Sequence, residues 1–438
     1  MAVALFALLP SLRSSAQELK TAYFLDDYVY KYEVNPAMHD AKTTQMFIGF
    51  GLNDIALTAR TNIGVNNFLF PVNGELLLFM NDKVSKETFL AGIPDLGAKV
   101  NLDVNLSLLS FGFKIGRHAF LSFDTRLRSA TNLGLSKDFF AQLKGVEISS
   151  KAGTHYQFQS VDVETKNYLE QAIGCSFEVA KNLRLGFTLK GLVGLAAASV
   201  KANNVQVDFV EDDKAVASAN TEMYLASKLL AFPKTEDGYD FEHPGFGKVG
   251  ISGYGGALDL GISWESDFGL DLSAAVLDLG AMVWNKNLSG QKVLDHQAME
   301  GKNVTDYVNQ VFGVTDVPQN SVGMLTTTVN AGARYHMPFY RGLSVGVHGS
   351  YAIQTKRYDV RAGLTISPAR WFSLTANYGW TDYGGTFGAA MNLRPGPFTF
   401  FVGAETCFYK FTPQGIPIGP LNTTAKVGII ISPKTKKS

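Results

Sequence analysis

From residue 45 onward, apolar and polar residues alternate with a period of two in run after run of the chain. Successive side chains of a strand point to opposite faces of a sheet, so such a run has one apolar and one polar face. The clearest run has an apolar face made of Leu183, Leu185, Phe187, Leu189, Val193 and Leu195. Leu192 is the only apolar residue on its polar face, and residues 357–366 and 372–380 repeat the pattern. These runs predict strands that separate an apolar medium from a polar one.

Short turns and longer connections alternate between these strands. Short sequences typical of hairpin turns lie at 116–118, 180–182, 265–267, 338–342, 368–370 and 394–397. The long connections lie at about 62–98, 132–165, 200–250 and 285–323, and shorter ones near 355, 383 and 412–421. Outer-membrane barrels combine brief periplasmic turns with larger external loops, and they have an even number of strands. We therefore predict an all-β fold, a closed antiparallel transmembrane β-barrel of about 14 strands with both ends on the periplasmic side.

A soluble β-sandwich or jelly roll is the alternative, because its strands alternate too. Its polar face would meet bulk water, and we would expect Lys and Glu to dominate that face. Here the polar faces carry many Gly, Ser, Thr and Asn, and only 18% of the chain is charged. Glycines inside the predicted strands, such as Gly261, Gly363 and Gly403, suit the bends of a closed sheet. These features favour the barrel.

Composition also excludes several classes of protein. No run of 18 or more apolar residues follows the N-terminus, which excludes a bundle of membrane-spanning helices. Lys and Arg number 39, as do Asp and Glu, so the chain lacks the basic surplus of a nucleic-acid-binding protein. Cys175 and Cys407 are too few for a disulfide framework and too far apart in sequence for a metal site. We predict isolated packing cysteines.

The two ends of the chain differ from the strand region. Residues 1–16 combine a short apolar run with Pro10 and the small residues Ser14 to Ala16, which is typical of the end of a signal peptide. The basic region of such a peptide is missing, so we expect the segment to be part of a longer signal. The alternative is a buried N-terminal strand or helix of a cytoplasmic protein. Residues 432–438 are predicted to be a C-terminal tail.

Between the signal and the barrel, residues 17–44 form a separate predicted segment. It holds a high density of aromatic residues and an Asn-Pro turn, and its plug candidates are Tyr23, Phe24, Tyr28, Tyr30, Tyr32, Asn35 and Pro36. Aromatics at this density can pack inside a pore. We expect this segment to be a plug or periplasmic lid of a barrel that spans residues 45–431. Within the barrel's outer loops, residues 136–144, 220–230 and 304–312 have helical composition and predict short helices.

Charged residues recur on the predicted inward faces. The lumen candidates are Asp124, Arg126, Arg128, Arg184, Lys190, Arg334, His336, Arg357, Asp359, Arg361 and Glu405. Such a set either lines a pore or forms a salt-bridged network that braces the lumen, because buried charges must be paired. The densest group is Arg357, Asp359 and Arg361, which we expect to contact an anionic group.

Catalytic and cofactor motifs are not apparent. His336, His348 and Ser350 lie on predicted inward faces, but no third group at a defined spacing completes a triad, and no Gly-x-Ser-x-Gly sequence occurs. No histidines have close ligand spacing with a carboxylate, and the glycines at 253–256 precede a strand rather than a helix. We predict no catalytic residues, no metal and no cofactor.

Short motifs near the N-terminus carry a family resemblance. Residues 21–25 and 32–37, the latter ending in Asn35-Pro36-Ala37, together with 88–90 and 100–114, resemble a Bacteroidota family of outer-membrane barrels of unknown function, domain-of-unknown-function family 5723. Related barrels of that phylum, some associated with type IX secretion, share the Asn-Pro-Ala sequence. Strand number and the leading segment are also similar to the long-chain fatty-acid transporter family, at the level of fold. The resemblance implies an outer-membrane barrel, but the chain does not end on the terminal aromatic common in such barrels.

Two functions remain open. The first is passive passage of a small, hydrophobic or amphipathic molecule across the outer membrane of a Gram-negative bacterium. The second is a structural anchor for a secretion or surface-assembly system, without transport. The expected partners are outer-membrane lipid, a small solute in the first case and secretion-system or surface proteins in the second, with no nucleic acid. An open lumen would favour the first function, and a filled lumen with ordered outer loops would favour the second.

Overall fold

A computed structural model gives the structure of the chain. It describes residues 19–39, 44–72, 74–95, 97–116, 118–144, 151–235, 238–285, 287–301, 304–315, 320–382, 384–406, 410–411, 417–419 and 421–433. The predicted signal peptide, Cys407 and the tail beyond residue 433 lie outside these ranges.

Within the described residues, fourteen antiparallel strands form the predicted closed barrel. They are β1 (Met46–Thr61), β2 (Ala98–Ile115), β3 (Ala119–Leu135), β4 (His155–Ala180), β5 (Leu183–Glu211), β6 (Gly253–Glu265), β7 (Leu270–Asn285), β8 (Thr328–His336), β9 (Leu343–Ala352), β10 (Arg357–Ala369), β11 (Phe372–Thr381), β12 (Gly384–Leu393), β13 (Phe398–Thr406) and β14 (Asn422–Ile431). Each strand pairs with its neighbour in sequence, and β1 also pairs with β14, which closes the ring. A short strand, Asn320–Met324, continues β8 alongside the far end of β7.

Five of the six predicted tight turns lie wholly within the described residues and are observed, and in the sixth the paired residues Ile115 and Ala119 flank the described Gly116 and His118. All six connections lie at one end of the barrel. They join β2 to β3, β4 to β5, β6 to β7, β8 to β9, β10 to β11 and β12 to β13. We call this end the turn rim and the opposite end, where the longer connections lie, the loop rim. Because the strand number is even, β1 begins and β14 ends at the turn rim.

The barrel reverses the usual distribution of polarity in a soluble protein. In β11, Ser373, Thr375 and Asn377 point inward and are buried, whereas Leu374, Tyr378 and Trp380 point outward and are exposed. Other outward strand positions also carry large apolar side chains, as at Val347, which is 53% exposed. Such an exterior suits hydrocarbon rather than water.

Among the described residues, no helix has both the length and the apolar character needed to cross a membrane.

Strands β4 and β5 are much longer than the rest, with 26 and 29 residues against 10 in β9, β11 and β12. Their far halves continue past the loop rim and pair with each other. Beyond β5 the sheet adds the strands Lys214–Ser227 and Leu288–Glu300. We call these four strand portions, together with the helix Val304–Phe312 that packs on them, the outer extension.

Three α-helices lie beyond the loop rim: α1 (Lys86–Ala91), α2 (Lys137–Leu143) and α3 (Val304–Phe312). Two of them match predicted helices. In α3, Val311 and Phe312 pack on a buried cluster of the outer extension that includes Ala202, Ala217 and Leu294. The predicted helix at 220–230 is wrong, because most of those residues belong to the strand Lys214–Ser227. The free edge of β5 offers this segment a full ladder of backbone hydrogen bonds, which outweighs its helical composition.

The remaining regular structure is short. Two-stranded hairpins pair Leu69–Val72 with Glu75–Leu78, Leu230–Ala231 with Gly245–Phe246, Lys234–Thr235 with Gly238–Tyr239, and Lys410–Phe411 with Pro417–Ile418. Single 3-10 turns span Lys20–Tyr23, Val29–Glu33 and Val65–Asn67.

One place in the barrel wall departs from regular pairing. Between the pairs Ile48↔Ile431 and Asp54↔Gly428, five residues of β1 face only two of β14. The same stretch bulges against β2, and Gly51 has a positive φ of 74°. Phe50 stands out from the wall there and is 87% exposed. The closing ladder is therefore interrupted near the turn rim.

Candidate functional site: the filled lumen

Residues 19–39, which we call the inner segment, lie inside the barrel near the turn rim. The segment has two 3-10 turns but no longer helix or strand, and most of its bonds are therefore made with the wall. The structure places all seven plug candidates at buried positions: Tyr23, Phe24, Tyr28, Tyr30, Tyr32, Asn35 and Pro36. Leu19, Leu25 and Tyr30 form an apolar cluster with Phe47, Phe401 and other wall residues.

Hydrogen bonds hold the inner segment to strands on opposite sides of the barrel. The backbone N–H and the hydroxyl of Thr21 both donate to Oε1 of Glu405 in β13, at 2.5 and 2.8 Å. Across the lumen, the Tyr32 hydroxyl donates to Oδ1 of Asp124 in β3 at 2.8 Å. The side-chain amide of Asn330 in β8 donates to the Val34 carbonyl at 2.9 Å.

Ion pairs add to these contacts. Asp26 lies 2.6 Å from Nη1 of Arg334, and Glu33 lies 2.7 Å from Nη2 of Arg126. Glu33 also pairs with Lys426 of β14. Arg126 and Arg334 are predicted lumen residues, but their acidic partners on the segment were not predicted. The signal was present: the segment carries acidic residues among its aromatics, opposite a wall rich in arginine.

Inward glycines make room for the segment. A Cβ at Gly186 would lie 2.2 Å from the Pro36 carbonyl carbon, and one at Gly261 would lie 2.0 Å from Oδ1 of Asn35. These two glycines face each other across β5 and β6, so they form one socket for Asn35-Pro36-Ala37. The same close approach occurs at Gly332, Gly363, Gly388 and Gly403, which meet Tyr23, Phe24, Thr21 and Leu19. Gly261, Gly363 and Gly403 therefore accommodate the segment, which is a different role from the sheet bends expected from the sequence.

The Asn-Pro-Ala sequence has its own polar anchors. The Asn35 amide nitrogen donates to the carbonyls of Ile262 and Ala274, at 3.0 and 3.1 Å. Its amide oxygen accepts from the Ala37 backbone N–H at 2.9 Å, which fixes the turn at Pro36. The motif that carries the family resemblance is thus a contact between the segment and the wall.

Beyond the inner segment, the next level of the lumen is charged. Arg128 pairs with Glu170 at 2.8 Å, and Lys190 lies 2.7 Å from Asp259 and 2.6 Å from Asp278. On the opposite wall, Arg361 contacts Asp359 at 2.7 Å and Glu405 at 3.1 Å. Arg128 and Lys190 pair with carboxylates one or two strands away, whereas Arg361 pairs with one carboxylate on its own strand and one on β13. This arrangement corresponds to the salt-bridged network, one of the two interpretations of the sequence.

The other lumen candidates lie at the margins of this level. Arg184 donates to the Ser176 hydroxyl at 3.0 Å, and His336 lies 3.0 Å from Asp271 near the turn rim. Arg357 hydrogen-bonds to Asn101 and lies 3.9 Å from Asp382. Arg361 is already paired with carboxylates, and a carboxylate lies near Arg357. Binding of an anionic group at this cluster stays a prediction.

Toward the loop rim, the lumen is apolar again. A buried cluster there contains Tyr168, Leu192, Met282, Trp284 and Leu325. Leu192, the apolar residue on the otherwise polar face of β5, packs in this cluster. Two cavities at the charged level measure about 20 Å³ each, which is room for about one water. The described lumen is occupied at three levels, by an aromatic segment, a charged layer and an apolar cluster. A cavity of about 280 Å³ remains near the turn rim, between the inner segment and the wall around Arg184 and Arg334.

The histidines and cysteine near these levels show no reactive arrangement. The ring of His348 lies against that of Tyr23, with 4.7 Å between their centroids. Among the described residues, no group of three or more His, Cys, Asp or Glu side chains could hold a metal ion. Cys175 is an unpaired cysteine, partly exposed on the wall.

Comparisons with known proteins identify a family and several similar folds. The model of a family of unknown function, DUF5723, matches residues 36–405. No curated protein matches the chain in sequence. Among solved structures, the toluene transporter TbuX of Ralstonia pickettii is 8% identical, with 93% of this chain and 94% of that chain covered and a TM-score of 0.46.

Two further structures are similar to the same degree. A FadL homologue of Pseudomonas aeruginosa is 9% identical over 91% of this chain and 92% of that chain, with a TM-score of 0.46. The toluene transporter TodX of P. putida is 9% identical over 92% and 93%, also with a TM-score of 0.46.

Proposed function

The chain belongs to this family of unknown function, DUF5723, and we propose that it is an outer-membrane barrel of a Gram-negative bacterium that forms a plugged passage for small amphipathic molecules. In this proposal the turn rim faces the periplasm, the loop rim faces outward, and the inner segment is the plug.

The exterior of the wall supports the membrane location. Strands of 10 residues, tilted as in known barrels, rise by about 25 Å, which is the height of the apolar band of an outer-membrane barrel. Their outward positions are apolar, whereas the inward positions are Ser, Thr, Asn and charged residues. A soluble sheet with this distribution would leave its apolar face in water.

The observation that carries the plug proposal is the way the turn-rim half of the lumen is filled. A separate stretch of chain fills it, and glycines on six strands leave the wall without side chains where that stretch lies. Barrels of about eight strands fill with their own side chains, whereas larger barrels enclose a lumen that a separate element can close. Removal of the inner segment would therefore open the turn-rim half of the lumen, while the charged layer and the apolar cluster beyond it stay in place.

The charged layer supports an amphipathic rather than a purely hydrocarbon substrate. A molecule moving along the barrel axis passes Arg128, Lys190 and Arg361 with their carboxylate partners. A hydrocarbon gains nothing from these groups and displaces their hydration, whereas a molecule with one polar end can exchange hydrogen bonds with them.

A disulfide that locks the inner segment tests this proposal. A Cβ at Gly388 would lie 2.3 Å from Oγ1 of Thr21, so the two positions are adjacent, and a Thr21→Cys/Gly388→Cys pair can form a disulfide once the segment shifts slightly outward from the wall. Both native cysteines are first replaced by serine. In proteoliposomes, we expect the reduced pair to take up small amphipathic solutes and the oxidised pair to lose uptake.

The two single-cysteine variants under the same oxidant are the controls, and both should keep uptake. Deletion of residues 19–39 in a chain that still folds should raise single-channel conductance. If uptake persists in the locked protein and the conductance is unchanged after the deletion, the proposal of a plugged passage is wrong.

The filled lumen and the ordered outer extension favour a second candidate, a structural anchor. The extension has its own buried core under α3, and such a surface suits the display of a binding site for a secretion or surface protein. If the anchor is the function, removing the extension at the loop rim abolishes recovery of a partner from crosslinked cells and leaves solute uptake unchanged. If the passage is the function, the native protein takes up solute, and loss of uptake on locking the inner segment is the result expected.

A further inference from the structure

The closing seam of the barrel, between β1 and β14, lacks backbone pairing where the inner segment crosses it. Residues 49–53 of β1 bulge away from their partners, and toward the turn rim only the pair Ile48↔Ile431 continues the ladder. A hydrogen-bonded ladder is what holds neighbouring strands of a barrel together in the membrane. The seam therefore needs another source of cohesion at this level.

Aromatic side chains of the inner segment cover the seam from inside. Tyr28 and Tyr30 belong to one buried cluster with Phe47 of β1 and Ile430 of β14. The Tyr30 hydroxyl lies 2.5 Å from the side-chain amide of Asn53, in the middle of the bulge. The ammonium of Lys426 in β14 lies 5.6 Å from the centre of the Tyr30 ring, within cation–π distance.

Charge connects the same elements. Lys426 pairs with Glu33 of the inner segment and lies 2.9 Å from Asp54 of β1. Glu33 also contacts Arg126 of β3 at 2.7 Å. One carboxylate of the segment thus links the last strand to the third, and its lysine partner links the last strand to the first. All of these side chains are buried, so their attraction is weakly screened.

We propose that the inner segment is the closure strap of the barrel: it binds β1 and β14 together across the interrupted seam and is required for the ring to close. Its contacts with β1 and β14 exist at the same time only in the closed ring, so seating the segment stabilises closure by linkage. This role concerns assembly of the barrel and does not depend on the passage of any solute.

Two substitutions in the inner segment compare a carboxylate at the seam with one away from it. Glu33→Gln removes the carboxylate that faces the seam, while Arg126 keeps Asp124 at 3.1 Å and Lys426 keeps Asp54. Asp26→Asn removes a carboxylate that faces β8, away from the seam, where Arg334 keeps Asp271 at 3.3 Å. It is the milder change, because the Asp26 side chain is 19% exposed and pairs with one cation, whereas Glu33 is 3% exposed and pairs with two. Each change takes one negative charge from the segment and leaves every cation with another carboxylate.

The readout is the heat-modifiable folded form on a gel after refolding into detergent micelles. We expect E33Q to lose the folded form at a fixed temperature about tenfold faster than D26N. E33Q removes the buried ion pairs that hold the segment at the seam, and the ring is then easier to open. Equal rates for the two variants would overturn the strap, because any lost ion pair would then have the same effect.

A disulfide across the seam gives the second test and covers the case in which E33Q yields no folded protein. Thr58 and Thr424 face each other across β1 and β14, with 3.0 Å between their hydroxyls. In the background without native cysteines, Thr58→Cys/Thr424→Cys should restore the folded form of E33Q under oxidising conditions and lose it again under reduction. A disulfide that forms and restores nothing contradicts the proposal.

Discussion

At the scale of single residues, the inner wall is defined by what is missing as much as by what is present. Gly186 and Gly261 carry no side chain where the Asn-Pro-Ala turn touches the wall. The sequence shows that glycines occur inside strands, but it does not show what approaches them, because their partner lies more than 100 positions earlier in the chain. The reason for these glycines could therefore not be predicted.

Gly261→Ala should weaken seating of the inner segment. Its new methyl group would overlap Asn35 and Pro36, and overpacking of this kind costs about 1–3 kcal/mol. The matched control is Gly256→Ala in the same strand, which faces outward and whose nearest atom would be at an ordinary 3.5 Å. Thermal loss of the folded form compares the two variants, and similar losses would contradict the socket.

The charged residues show a second limit of prediction. Strand alternation identified which charges face inward, including Lys190 and Arg361, because a face depends only on the period of two. Their partners depend on the register between strands and on depth along the lumen. Asp278, a partner of Lys190, lies at a bulge with a positive φ of 56°, where alternation is broken.

Lys190→Met should be strongly destabilising. It leaves Asp259 and Asp278 buried beside each other without their shared cation, and loss of one partner of a buried pair costs about 3–5 kcal/mol. Lys166→Met is the control, because Lys166 pairs with Glu164 and both side chains are partly exposed. Chemical denaturation in detergent measures the free energy of unfolding of both variants. An equal loss in the two would show that Lys190 does not stabilise the buried carboxylates.

At the scale of elements, turns were predictable and strand lengths were not. Each tight turn has local signals such as Gly116 or Asn182, which adopt positive φ values of 60° and 63°. The far halves of β4 and β5 fell in predicted loops, because their polar composition resembles loop sequence. They form strands because β5 pairs with Lys214–Ser227, which pairs in turn with Leu288–Glu300, and this sheet buries the apolar residues of one face under α3.

Leu294→Asp should unfold the outer extension and leave the barrel intact. Leu294 is 4% exposed in the core under α3, whereas its neighbour Val293 is 72% exposed and provides the control as Val293→Asp. A buried unpaired carboxylate is costly, while an exposed one is not. Limited proteolysis should cleave only the first variant beyond the loop rim, with the heat-modifiable gel shift kept. Equal cleavage of both would place the core elsewhere.

The outer extension also contains a titrating pair. The hydrogen bond to Asp208 raises the pKa of His155 above its usual value, and the same bond lowers the pKa of Asp208. A raised histidine pKa means that the protonated pair stabilises the folded extension below the unfolded pKa, and that this contribution disappears as the pH rises through the folded pKa. Because Asp208 has a lowered pKa, the pair also loses its contribution as the pH falls through that value, so its stabilising effect is largest between the two pKa values.

NMR titration of the His155 ring checks this directly. In the native chain its midpoint should lie above the ordinary value of about 6.5, and Asp208→Asn should return it toward that value. No change of the His155 midpoint in the variant would show that Asp208 is not the cause.

At the scale of the whole molecule, the sequence predicted the strand number, the antiparallel order and the position of the turns. These properties follow from patterns that repeat along the chain, and each repeat adds evidence for the next. The filling of the lumen was less predictable, because it depends on how a leading segment meets strands as distant as β13. Aromatic density indicated a plug, but its contacts came from the structure.

A charge on the outward face should impair insertion into lipid. Val347 lies near the middle of β9 and points outward, so Val347→Lys should cost about 2–4 kcal/mol at the level of the bilayer centre. Val293→Lys is the control, since Val293 is on the outer extension. The measurement is the folded fraction after refolding into liposomes. If both variants insert equally well, the outward face of β9 does not contact lipid.

The unequal strands also decide how the loop-rim mouth is oriented. On the side of β9 to β12 the wall ends after 10 to 13 residues, whereas β5 continues for 29 residues, so at about 3.3 Å per residue one side rises tens of ångströms above the other. In the proposed outer-membrane passage, a tube cut at such a slant has an entrance that faces sideways along the membrane surface. On its low side, molecules dissolved among the lipid headgroups meet the entrance directly, while the tall side shelters it from the bulk solution. Approach from the membrane plane is thereby favoured over approach from above.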